Sequence, residues 1–131
     1  MILLDSSFLI ALFNENDPAH NRAIGEMKKF EIEEKKFIIS EQSLAKTIDV
    51  LLTDAGQEKA KIFMDFAVEN YRIQETDLED IAAILQILQS QKNSINYSDA
   101  TLIYLSKFFG CSIATYNENL LKELKGYNVL K

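Results

Sequence analysis

Short apolar runs separated by longer stretches of helical pattern constrain this fold more than any other feature. Met1–Leu4, Phe37–Ile39, Tyr71–Ile73, Cys111–Ala114 and Tyr127–Leu130 read as strands. Ser6–Phe13 reads as a helix that begins directly after the first strand. Asp17-Pro18 has the form of an N-cap with proline at the first helical position, opening a helix to about Glu33. Ser40 caps the next helix, in which Leu44, Ile48, Leu51 and Leu52 recur at helical spacing. A further helix runs from about Gln57 to Glu69, with Ile62, Phe63 and Phe66 expected inward. Thr76 and Glu79 have capping-box spacing before a helix carrying Leu78, Ile81, Leu85 and Leu88 on one face. Asn96 or Ser98 caps a helix to about Phe109 that Gly110 ends, and Asn117–Leu124 is a short last helix. This alternation predicts an α/β domain with a mainly parallel sheet of about five strands flanked by helices.

At 131 residues the chain has the length of one domain with a real core, and it reads as a single domain over 1–131. A lone cysteine, Cys111, leaves no internal disulfide framework and fits a reducing cytosol, so a cytoplasmic location is expected. The N-terminal apolar run lacks a basic segment and is broken by Asp5, so it is not read as an export signal. No stretch approaches the ~20 apolar residues of a membrane span. The net charge of −6 counts against a dedicated nucleic-acid binder with a broad basic face. A local basic patch, or a basic partner protein, stays compatible with it.

Asp5 stands out within MILLDSSFLIALF, because a buried carboxylate needs a charge, a hydrogen-bond donor or a metal as partner. In open parallel sheets, functional groups gather at the carboxyl ends of the strands. Asp5 directly follows the first strand, and Asn117 lies just past the strand holding Ile113 and Ala114. Asp99 starts a helix, where the amide dipole favours an anion. These three positions are expected to converge on one edge. The plain alternatives are that Asp5 only caps the first helix and that Asp99 only occupies a favourable first turn.

The chain resembles the PIN-domain family, and within it the small VapC-type toxin ribonucleases. Four segments carry the resemblance over nearly the whole length: ILLDSSFLIALF, DPAHNRA, FIISEQSLAKTIDVL and YSDATLIYLSKFFGCSIATYNENLL. The resemblance implies a PIN-like three-layer sandwich. It also implies carboxylates at one edge that bind Mg²⁺ or Mn²⁺ and hydrolyse RNA phosphodiesters through metal-activated water. A homodimer and an antitoxin-like protein are the partners it suggests.

Carried over by residue, the pattern holds in part. Asp5 and Asp99 match family acids and are the expected metal ligands; with Asn117 they form the expected catalytic set. The position of the family glutamate, six residues after Ser40, is Lys46. The aspartate of the Thr-x-Asp turn is replaced by Asn117, and Asn119 is an amide where some relatives carry another acid. One expectation is that the Lys46 ammonium replaces the metal and bridges Asp5 and Asp99; the other is that Lys46 is a solvated helix residue. Glu41, in the first turn of the same helix, is a candidate surrogate acid, the alternative being an acid that only favours a helix N-terminus; Glu118 and Asp49 are weaker candidates.

Two functions follow. One is a metal-dependent endoribonuclease with a weakened site. The other is a non-catalytic PIN-like module that binds itself, an antitoxin-like protein or RNA. A receiver-type phosphoacceptor is a distant third, since paired acids after the first strand are replaced by Ser6-Ser7. His20 is the sole histidine, so no histidine cluster or Ser-His-Asp triad can be assembled. Lys28-Lys29 and Lys35-Lys36 flank FEIEE and read as a solvated face.

Overall fold

A computed structural model describes residues 1–90, 95–124 and the backbone of 129–130. Four strands of three or four residues, β1 (Ile2–Leu4), β2 (Phe37–Ser40), β3 (Arg72–Gln74) and β4 (Ser112–Ala114), are joined at one edge by the two-residue β5 (Val129–Leu130). The order is β3-β2-β1-β4-β5 and every pairing is parallel. Tyr127, the expected start of the last strand, lies outside the described residues.

The helices are α1 (Ser6–Phe13), α2 (His20–Ile32), α3 (Glu41–Asp54), α4 (Gln57–Asn70), α5 (Leu78–Ser90), α6 (Tyr97–Phe109) and α7 (Glu118–Glu123). Alternate strand residues point to opposite faces, and both faces are covered. Ile2, Leu4, Ile39 and Ala114 join a core built with α1 to α4. Leu3, Ile38 and Ile113 join a second core built with α6 and α7. Burial on both faces explains why β1 and β2 read as continuous apolar runs. This is the three-layer α/β sandwich expected from the sequence.

An aromatic chain ties the first core together. Phe63 meets Phe13 edge-on at 5.0 Å, and Phe66 joins Phe13 to Tyr71 at 5.7 and 5.5 Å. Tyr71 continues through Phe37, Phe30 and Phe8 to Tyr116.

Some local expectations are corrected. Asp17-Pro18 forms a turn and α2 starts at His20, because the Asp17 carboxylate accepts from the Ala19 amide at 2.8 Å. The capping pair of α5 is Asp77 with Asp80, each carboxylate accepting the other's backbone amide at 2.9 Å, rather than Thr76 with Glu79. The buried side of α5 is centred on Ile84, leaving Leu78 84% and Leu85 47% exposed. In α4 the inward stripe is Ala60, Phe63 and Ala67, with Ile62 and Phe66 exposed on its shoulders. The stripe of α3 is similar: Ser43, Thr47 and Leu51 face inward, Leu44 and Ile48 pack at its margin, and Leu52 is exposed. In both helices, small or hydroxylated residues share the inward face with the large apolar ones. Cys111 is buried in the second core.

Candidate functional site

The chain leaves β1 toward β2 on one side, and β4 pairs with β1 on the other. The carboxyl ends of β1 and β4 therefore form the switch point of the sheet, where open α/β sheets bind ligands. The parallel register sets Leu4 beside Ala114, so the next residues, Asp5 and Thr115, emerge together. The Asp5 amide donates to the Ala114 carbonyl at 3.0 Å.

Asp5 is 5% exposed, and each of its oxygens has two donors. Oδ1 accepts from the Ser6 amide at 2.7 Å and the Ser6 hydroxyl at 3.3 Å. Oδ2 accepts from Ser7 Oγ at 2.8 Å and Thr115 Oγ1 at 2.6 Å. Asp5 therefore caps α1, and it also pins the loop after β4. Ser7 Oγ accepts from the Tyr116 amide at 2.9 Å, and Thr115 Oγ1 accepts from the Asn117 amide at 3.0 Å.

Asp99 reaches the same edge from the first turn of α6, through a capping box with Asn96. Asn117 connects it to the loop: Asn117 Nδ2 donates to Asp99 Oδ1 at 3.2 Å. The Asn117 oxygen faces away, accepting from the Asn119 and Leu120 amides at 3.0 and 3.3 Å as the N-cap of α7. A continuous hydrogen-bonded path thus runs from Asp5 through Thr115 and Asn117 to Asp99. The structure brings together Asp5, Asp99 and Asn117.

Burial pushes the Asp99 carboxyl above the usual carboxylate range, and the nearby Asp5 charge adds to that rise. The Asn96 amide and the Lys46 ammonium oppose it. Lys46 is thus close enough for its charge to be felt at Asp99, but it does not bridge the two acids. The ion pairs among the described residues are Arg22–Glu26 and Lys61–Asp65, and Lys46 is in neither. It sits on the exposed side of α3, where a strongly hydrated ammonium keeps its water. Glu41, Glu118, Asn119 and Asp49 are exposed. Among the described residues, no group of three His, Cys, Asp or Glu side chains is arranged to hold a metal.

The native state holds the Asp99 proton to higher pH than the unfolded chain does. Its ionisation therefore opposes folding as pH rises through the window above the ordinary carboxylate range. Asp99→Asn should melt higher than wild type at neutral pH in chelator-containing buffer, and the gap should close as pH falls through that window. Thermal melts at a series of pH values check this; a gap independent of pH would contradict it.

Ser7 and Thr115, the residues that hold Asp5, were not picked out by sequence reasoning. The available signal was a hydroxyl residue just beyond the end of each of two adjacent strands. His20 also has a structural place: its Nδ1 lies 2.7 Å from the Ala11 carbonyl, tying α2 to α1.

Fold and site together define an α/β domain with two carboxylates at the switch point of a parallel sheet. A family profile for the PIN domain matches residues 2–126, and the chain belongs to that family. No curated protein is matched by sequence. Among solved structures, the toxin VapC20 of Mycobacterium tuberculosis, described as cleaving the sarcin-ricin loop, superposes with a TM-score of 0.81 at 18% identity, covering 97% of this chain and 96% of that one. VapBC2 from Rickettsia felis, bound to a fragment of its promoter DNA, gives 0.74 at 13% identity, covering 99% and 98%. FitAcB from Neisseria gonorrhoeae gives 0.71 at 16%, covering 100% and 97%.

Proposed function

We propose that this chain is a VapC-type PIN protein that engages RNA at the Asp5–Asp99 edge, with phosphodiester hydrolysis there weakened by Lys46 and Asn117. The observation that carries the reading is the Asn117–Asp99 contact. An amide nitrogen, not a second carboxylate, meets Asp99, and the amide oxygen is committed to the α7 cap.

The donor set fits a divalent ion in a limited way. Asp5 has all its acceptor positions filled, whereas Asp99 keeps free lone pairs, since its two donors lie at 3.2 and 3.4 Å. Mg²⁺ is often held by one or two carboxylates, with water and substrate phosphate completing its shell. Asp99 would hold Mg²⁺ or Mn²⁺, with Asp5 joining by exchanging one internal donor. The bound ion would supply activated water and stabilise charge on the phosphoryl oxygens. The chain's own contribution is positioning. The Ser7 and Thr115 hydroxyls orient Asp5, and Asn117 orients Asp99 while offering its other N–H to a phosphate oxygen. Lys46 lowers the negative potential that would repel RNA.

An antitoxin-like protein and a second copy of this chain are the partners proposed. The resemblance to FitAcB and VapBC2 supports the first. No helix among the described residues is long and apolar enough to cross a membrane.

A second reading, a PIN module that binds without cleaving, is favoured by the saturation of Asp5 by internal donors. One experiment separates the two. Purified protein is incubated with mixed RNAs and Mn²⁺ beside Asp5→Asn. Slow metal-dependent cleavage that disappears in Asp5→Asn is expected; no cleavage would rule for the binding module, and cleavage that persists in the variant would show that Asp5 takes no part in it.

A further inference from the structure

We propose that Arg22 is an RNA phosphate contact beside the Asp5–Asp99 edge. The inference rests on the reading above that this edge engages RNA. Arg22 lies in the first turn of α2, with its side chain 57% exposed. Its guanidinium carbon sits 4.9 Å from the centre of the Tyr116 ring, and its Nε pairs with Glu26 Oε1 at 3.0 Å. Among the described residues, the Nη donors have no partner, which leaves one side of the fork open to an incoming oxygen.

Tyr116 is the residue between Thr115 and Asn117, so it belongs to the segment that joins the two acids. Its amide is held by Ser7, its ring packs 5.7 Å from Phe8, and its hydroxyl donates to Glu26 Oε2 at 3.0 Å. The ring is therefore a fixed platform, and the guanidinium above it is positioned in advance by its cation–π contact and by one ion pair. A planar guanidinium with free paired donors suits a phosphate better than an ammonium does. The protein carries a net charge of −6, so a strand approaching the acids needs local cations. Lys46 supplies one near Asp99, and Arg22 supplies another on the Tyr116 side.

The test is binding of a short fluorescent single-stranded RNA to the full chain, by anisotropy, in chelator and at several salt concentrations. Arg22→Gln should weaken binding about tenfold at low salt, and should reduce the slope of log affinity against log salt by about 0.7, the share of one contact to a single strand. Arg22→Lys should keep the slope and recover part of the affinity. Glu26→Gln removes the competing carboxylate and should bind more tightly than wild type. A role confined to packing would leave the salt slope unchanged. Wild-type affinity and slope in Arg22→Gln would overturn this assignment and leave the reading of the edge intact. Should Arg22→Gln not fold, absence of a gain in Glu26→Gln overturns it instead. Failure of the wild-type protein to bind RNA at low salt would overturn both.

Discussion

Lys46→Glu combined with Asn117→Asp should tighten Mn²⁺ binding by about 100-fold or more, measured by titration calorimetry. In the wild-type chain the four matched positions hold two carboxylates, one ammonium and one neutral amide. The double variant makes all four negative. Two unit charges ~4 Å apart interact by about 4 kcal/mol at the effective dielectric of a protein surface, and each ~1.4 kcal/mol is tenfold in affinity. A hundredfold gain therefore needs only part of the Coulomb attraction that two new carboxylates offer. The two substitutions act differently. Lys46→Glu removes a cation already felt at Asp99, whereas Asn117→Asp replaces the N–H donor that now occupies Asp99 Oδ1. The cap of α7 survives the second change, because an aspartate serves as well as an asparagine at an N-cap. Without metal, the double variant should be less stable than wild type, since the carboxylates then repel one another. Added Mn²⁺ should reverse that loss. Unchanged calorimetry in the double variant would show that positions 46 and 117 do not form a metal site with Asp5 and Asp99.

The second large effect concerns stability. Asp5→Ala should lower stability by about 3 kcal/mol, and the melting temperature by about 10 °C. Loss of an N-cap accounts for about 1 kcal/mol. The remainder comes from the buried Thr115 hydroxyl and the half-buried Ser7 hydroxyl, which lie 3.2 Å apart, losing the acceptor they share, at about 1–3 kcal/mol for a buried group left unsatisfied. Asp5→Asn keeps an acceptor for the Ser6 amide, and the hydroxyls can turn to accept from its nitrogen. Its cost should be about 1 kcal/mol, within the net worth of a typical hydrogen bond. Thr115→Val should fall between the two, since it removes one donor to Asp5 and the acceptor of the Asn117 amide. Chemical denaturation of the three variants checks the ranking. Equal losses for Asp5→Ala and Asp5→Asn would mean that the network does not hold the edge together.

Particular residues show what could be read from the sequence. Strand positions were legible because burial on both faces leaves uninterrupted apolar runs such as ILL and FII. Placement of Asp5, Asp99 and Asn117 followed from strand ends and helix starts, which are fixed by chain order once the sheet is parallel. Ser40 was legible as a cap because the side-chain requirement is local; for α6 the sequence left Asn96 and Ser98 open, and the structure selects Asn96. The face of α5 was not. Leu78 and Leu85 fit a helical stripe as well as Ile84 does, and only the packing of α5 against α6 selects among them. The inward stripe of α4 was obscured because two of its three members are alanines. The Ser7 and Thr115 hydroxyls were missed for a different reason. Their role depends on a pairing between residues more than 100 apart in the chain, which spacing cannot reveal. The position of Lys46 is similar: helical angle puts it off the core face, but whether it meets Asp99 depends on how α3 sits over α1.

With two carboxylates set against one ammonium and one neutral amide, this PIN-domain edge should hold a divalent ion only weakly by itself. Titration of wild-type protein with Mn²⁺ in the absence of RNA, followed by calorimetry, measures that property directly. A dissociation constant of about 1 mM or weaker is expected, equivalent to no more than ~4 kcal/mol of binding free energy. A one-to-one site of micromolar affinity that vanishes in Asp99→Asn would contradict it.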